Sequence, residues 1–183
     1  MQPAHRLVVA GLALVAGAAA THAQEISQKD RYGQVMRVAL PMAAVAYSIY
    51  KADDVEGVTQ LVMSTALSAG STELLKRGIH AKRPDRRDDD SFPSGHTAVT
   101  FAAAAYIHKR YSFMEALPFY GLAALTGYKR VHTHNHFTRD VIGGAAVGIV
   151  SAWLVTGHFT TPRSTASIGY WDKTLVVNYA TTW

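Results

Sequence analysis

Residues 129–158 read KRVHTHNHFTRDVIGGAAVGIVSAWLVTGH, a basic, histidine-laden run that ends in Asp140 and leads directly into an apolar stretch. From Asp140 to His158 the pattern predicts a helix. Its Gly143, Gly144, Ala145, Ala146 and Gly148 strip side chains from part of that helix. Glycine costs about 1 kcal/mol per helical position relative to alanine, so such a run implies another helix packed closely against it. A helix this poor in side chains needs a bundle around it, and the rest of the chain supplies one.

Working back towards the N-terminus, Thr97 to Tyr111 is alanine-rich and ends in His108-Lys109-Arg110, cations that suit a helix C-terminus. Between the two, Pro118 is expected to break a segment near its start, with Phe119 to Tyr128 continuing it. A long polar loop, Gly78 to Phe92, precedes the alanine-rich helix. Before that loop, Val58, Leu61, Val62, Ala66 and Ala69 recur at helical spacing within Val58 to Leu75. Val35 to Tyr50 is apolar with few breaks and is stopped by Lys51-Ala52-Asp53-Asp54. Beyond Thr160, Thr174 to Trp183 alternates loosely and is rich in Val, Tyr and Thr, which predicts a strand or ordered tail. The expected fold is therefore all-α: a helical bundle of about five core helices with a short C-terminal strand or tail.

The first 23 residues read as an export signal: Arg6, an apolar run from Leu7 to Ala20, then Thr21-His22-Ala23 as a small-residue cleavage site. An uncleaved anchor is the alternative, although the run is shorter than the ~20 residues of a spanning helix. Residues 24–158 would then form one domain and residues 159–183 a tail. The expected location is a bacterial periplasm, with the domain soluble or associated with the membrane. A compact six-helix membrane protein stays open, because Val141 to Gly157 falls only just short of a span. The acidic turn Asp53-Asp54-Glu56 argues against it, since it would sit on the side where lysine and arginine normally dominate. The chain has no cysteine, so an exported form must be held by packing alone. Its net charge of +5 is clustered and calls for an anionic partner. Export makes nucleic acid an unsuitable one.

Three basic segments could carry chemistry. In Lys76-Arg77-Gly78-Ile79-His80-Ala81-Lys82-Arg83-Pro84, Lys76 offers a point charge and Arg83 a planar fork for two phosphate oxygens. A solvated basic loop is the plain alternative. In Phe92-Pro93-Ser94-Gly95-His96-Thr97, Ser94 suits an ordinary helix N-cap. Gly95 would let an anion approach the helix N-terminus, and His96 would sit beside it as a proton donor. In the third segment His132, His134 and His136 alternate. A metal site is a weak reading, because that spacing does not put all three on one helical face. If a helix begins near His136, the four-residue step to Asp140 lets the carboxylate hold one ring nitrogen and leave the other to attack.

Taken together, Lys76-x6-Arg83-Pro84, Pro93-Ser94-Gly95-His96 and Arg130-x5-His136-x3-Asp140 resemble the motifs of the type 2 phosphatidic acid phosphatase superfamily, which includes class A acid phosphatases and vanadium haloperoxidases. The resemblance covers residues 35 to 158, with all three motifs in order. It implies a metal-independent, cofactor-free phosphatase acting on a lipid phosphate or small phosphoester. It also implies that His136 attacks phosphorus to form a phosphohistidine, Asp140 orients it, and His96 protonates the leaving alkoxide. Lys76, Arg83, Arg130, Ser94 and the Gly95 amide would hold the phosphoryl oxygens. One position departs from the pattern: Lys129 stands where the family usually has serine, which removes a hydroxyl donor. A vanadate-dependent haloperoxidase and a non-catalytic anionic-lipid-binding protein are the competing readings.

Overall fold

The computed structural model describes residues 31–51, 55–86, 88–159, 163–171 and 174–182. The expected signal segment lies outside them. Five helices follow one another: α1 (Arg31–Tyr50), α2 (Val55–Ile79), α3 (Gly95–Arg110), α4 (Phe113–His132) and α5 (Thr138–Val155). A two-stranded antiparallel hairpin ends the chain, with β1 (Arg163–Trp171) paired to β2 (Thr174–Thr182) from Arg163↔Thr182 to Trp171↔Thr174.

Helix α3 is the axis of the bundle and packs against all four other helices. Its sequence explains why. Ala98, Ala102, Ala103, Ala104 and Ala105 are fully buried, and alanine combines the best helix propensity with the least volume. Neighbouring helices can therefore close in from every side, bringing Leu40, Leu61, Phe119 and Ala152 into one core. The larger Tyr106 is also fully buried, and its hydroxyl shares a 2.9 Å hydrogen bond with Ser48 Oγ of α1.

The glycines of α5 make its contact with α3. A Cβ on Gly144 would overlap the Ser94 carbonyl, and one on Gly148 would overlap the Ala98 carbonyl and lie 2.8 Å from the Ala102 nitrogen. Both obstacles are backbone, which cannot swing aside. The close approach read from the sequence is thus a helix-on-helix contact, and it presses the start of α5 against the start of α3. At the other end of the bundle, buried Arg110 reaches Gln60 Oε1 and the Gly157 carbonyl, each at 3.4 Å. This ties the exit of α5 to α2 and α3.

Three local expectations need correction. Pro118 does not break a helix, because α4 runs unbroken from Phe113. The Ser112 side chain caps it by accepting from Glu115 N–H, and although Pro118, in the second turn, leaves the Met114 carbonyl without its backbone donor, burial of Ala116, Phe119 and Ala123 holds the helix through it. Helix α2 passes Gly78 and ends one residue later. His80, at φ 50°, then donates its N–H to the Lys76 carbonyl. Helix α5 runs from Thr138 to Val155 rather than from Asp140 to His158, so His136 lies just before its N-cap. The strand expected at Thr174–Trp183 is present as β2, whereas β1, in a serine- and threonine-rich stretch, gave no signal in the sequence.

Among the described residues one helix, Thr138–Val155, is long and apolar enough to cross a membrane. Several large apolar side chains face outward around the bundle, including Leu74, Met114, Ile142 and Leu154.

Candidate active site

The up-and-down order of the helices gathers the three basic segments at one end. Helices α2 and α4 finish there, delivering Lys76 and Arg130, while α3 and α5 begin there, delivering His96 and the His136–Asp140 segment. Lys76, Arg83, Gly95, His96, Arg130 and His136 all line one cavity of about 230 Å³. Ser94 and Asp140 are buried and stand behind its wall. His132 and His134 are exposed and point the alternating histidines apart, since His136 is buried.

His136 is only 2% exposed. Its Nε2 lies 3.4 Å from Arg83 Nη1. Arginine donates and never accepts, so this contact assigns the lone pair to Nε2 and the proton to Nδ1. Burial, reinforced by the charges of Arg130, Arg83 and Lys76, pushes the imidazole pKa from 6.5 down to about 2, with the Ser91 backbone pulling the other way. His136 is therefore neutral at any ordinary pH and presents an unprotonated Nε2 to the cavity.

Asp140 reaches this imidazole by a route the sequence did not suggest. His136 precedes the helix, in the loop that Asn135 and His136 close by donating their N–H groups to the Arg130 carbonyl. Asp140 sits in the first turn of α5, where its Oδ2 accepts from Phe137 N–H at 2.8 Å and from Ser91 Oγ. A carboxylate there complements the helix dipole. The distance from His136 Nδ1 to Asp140 Oδ2 is 3.8 Å, longer than a hydrogen bond. Neither His136 Nδ1 nor Asp140 Oδ1 completes a hydrogen bond among the described residues. A shift of under ~1 Å would join the two groups.

Arg83 is held firmly in place. Arg83 is 9% exposed and gives Nε to Asp88, Nη1 to the Asn135 carbonyl at 3.1 Å and Nη2 to the Asp90 carbonyl at 3.2 Å. Asp88 and Asp90 of the long polar loop thus clamp this guanidinium. Arg130 is 2% exposed, and burial lowers its pKa to about 10, so it stays charged. Lys76 is lowered by burial first and by Arg83 second. Concentrating these charges around one cavity is costly without an anion, which is the physical mark of an anion site.

The start of α3 completes the wall. Ser94 is its N-cap residue but makes no side-chain cap, and its Oγ instead accepts from Thr97 Oγ1 at 3.0 Å. An anion could take the place of that cap at the first-turn amides. A Cβ on Gly95 would touch only Thr72 Cγ2, at 3.7 Å. No neighbour forbids a side chain there, so what the glycine leaves is space within the cavity itself.

Sequence reasoning missed Ser91, Asp88 and Asn135, which hold the site's catalytic candidates in place. It also missed Gln34 and Arg37 of α1, which line the cavity. Ser and Asp in a polar loop carry no distinguishing pattern. Arg37 did leave a trace, as a lone charge inside the apolar run of Val35 to Tyr50.

A buried neutral histidine facing three cations in an all-α bundle defines a site for handling a phosphate-like anion. Family comparison agrees: the profile of the PAP2 superfamily matches residues 57–163, and the chain belongs to that superfamily. It is 32% identical over 117 residues to the lipid A 1-phosphatase of Porphyromonas gingivalis, covering 62% of this chain and 23% of that protein. With the lipid A 4'-phosphatase of Helicobacter pylori it shares 29% identity over 145 residues, 73% of this chain and 72% of the relative. With phosphatidylglycerophosphatase B of Bacillus subtilis it shares 33% over 102 residues, 46% of this chain and 49% of the relative. The chain thus spans under a quarter of the first of these relatives and about half of the third. The crystal structure of Aquifex aeolicus LpxE has the same fold, with a TM-score of 0.52 at 23% identity over 66% of this chain and 83% of that one.

Proposed function

We propose that this protein is a metal-independent phosphatase that hydrolyses the phosphate ester of a lipid headgroup through a phosphohistidine intermediate. The observation that carries the reading is the convergence of Lys76, Arg83, Arg130, His96 and the neutral His136 on one cavity. Phosphoryl transfer asks mainly for positioning and charge stabilisation, and three cations around one cavity supply both.

In the first step His136 Nε2 attacks phosphorus, an N–P bond forms and the P–O bond to the alcohol breaks. His96 donates its proton to the departing alkoxide. Asp140, drawn onto Nδ1–H as the ring becomes cationic, offsets the charge. In the second step His96, now neutral, takes a proton from water as the water displaces His136 and phosphate forms. Lys76, Arg83, Arg130 and the Gly95 amide neutralise the oxygens throughout. Ser94, behind the wall, shapes the start of α3.

A lipid substrate is favoured by the outward-facing apolar side chains, which suit a domain that works against a membrane surface, and by similarity to lipid phosphatases. An exported location fits the N-terminal sequence. The test is a panel of substrates with matched headgroups. Phosphatidate and phosphatidylglycerophosphate in mixed micelles should be turned over with kcat/KM at least ~10-fold above that for glycerol phosphate, reflecting apolar burial of the tail. Equal turnover of soluble and lipid esters would remove the lipid part of the proposal, and no phosphate release from any of them would remove the whole.

A further inference from the structure

The cavity has a floor and a mouth. Its floor, formed by His136, Arg130 and Arg83, is nearly closed to solvent. Its rim includes Gln34 and Arg37 of α1 and Glu73 of α2, of which Arg37 and Glu73 are exposed. Gly33, Leu40, Ala44 and Ser48 form the stripe that α1 buries. Arg37 falls on that stripe, one turn beyond Gly33 and one before Leu40. It occupies an inward position where an apolar residue would serve packing, and it faces the cavity instead.

Arg37 has no hydrogen-bond or ion-pair partner among the described residues. The acid that lines the cavity, Glu73, is already engaged, at 3.4 Å from Arg77 Nε. The transferred phosphoryl is served by the floor cations. A guanidinium at the mouth therefore meets the part of the substrate that remains outside. That part of the wall is polar as well as charged, which fits a headgroup better than an acyl chain.

We propose that Arg37, with Gln34 beside it, is a specificity-determining cation that binds a second anionic group next to the transferred phosphoryl, such as the second phosphate of a diphosphate ester. This rests on the phosphatase reading above. A phosphate two bonds beyond the reacting phosphorus extends from floor to mouth, where a planar fork can take two of its oxygens.

The experiment measures binding of two non-hydrolysable probes, methylphosphonate and methylenediphosphonate, to the full chain and its variants. Arg37→Ala should weaken methylenediphosphonate roughly 10-fold and methylphosphonate less than ~2-fold, the modest size reflecting an exposed cation. Arg37→Lys should fall between the two, keeping the charge and losing the fork. Glu73→Gln should shift the ratio the other way, favouring the diphosphonate by about 2-fold, an opposite sign that a loosened fold would not produce. Equal losses on both probes, or an unchanged ratio, would overturn the role of Arg37 while leaving the phosphate site standing. Failure of the wild-type chain to bind either probe would overturn both.

Discussion

His136→Ala should lower phosphate release from a lipid phosphate or p-nitrophenyl phosphate by at least ~10³-fold, with the protein still folded. A nucleophile is not one contributor among many: without it the covalent route is closed, and the remaining cations can only bind the ester. The variant should accordingly keep its affinity for inorganic phosphate within a few fold, because Lys76, Arg83 and Arg130 remain. The mutation also removes the Nε2 acceptor that lies 3.4 Å from Arg83 Nη1, leaving that N–H free for the anion. Loss of turnover with retained phosphate binding separates a missing nucleophile from a collapsed site. Turnover within ~10-fold of wild type would assign the attack to another group.

The second large effect concerns acid. In the folded protein the His136 pKa lies near 2, depressed by burial first and then by Arg130, Arg83 and Lys76, against 6.5 when unfolded. Between those values the unfolded chain binds a proton that the folded chain refuses. The contribution is therefore fully present above about pH 6.5 and is lost as pH falls, at ~1.4 kcal/mol per unit. From pH 6.5 to 4.5 this group alone should cost the unliganded protein roughly 2–3 kcal/mol. His136→Gln keeps a neutral, hydrogen-bonding side chain and cannot titrate. Denaturant midpoints should show wild type losing about 2 kcal/mol more than the variant over that interval. Equal losses would mean that the histidine is not held neutral. Added inorganic phosphate should reduce the wild-type slope, because a bound anion offsets the cations that hold the pKa down.

How much of this was legible in the sequence follows from the reach of each interaction. Helix identity depends on local periodicity and composition, so all five helices could be read, and the glycines of α5 announced a close contact correctly. Their partner could not be named, because Gly144 and Gly148 meet backbone atoms about fifty residues away in sequence. Pro118 did not break its helix because tertiary packing of Ala116, Phe119 and Ala123 outweighs a local cost that is all the sequence displays. The catalytic candidates were visible as motifs with spacing, but the geometry expected for His136 and Asp140 assumed a shared helix. The structure places the imidazole in a loop and the carboxylate in the next helix, with Ser91 and the Phe137 amide fixing its orientation. The acids around Arg83 were invisible for a different reason: an ion-pair clamp in a loop has no period. Arg37 stood out only as a charge in an apolar run, and only its place on the buried stripe gave that oddity a meaning.

The central claim is that His136 carries the phosphoryl group between two half-reactions. Rapid-quench of the enzyme with a substrate labelled in its phosphate, followed by peptide mapping under alkaline conditions that preserve phosphoramidates, tests it most directly. The account predicts an acid-labile label on the peptide containing His136, formed at least as fast as turnover and absent in His136→Ala. Label on any other residue, or steady turnover with no labelled enzyme at any time point, would contradict it.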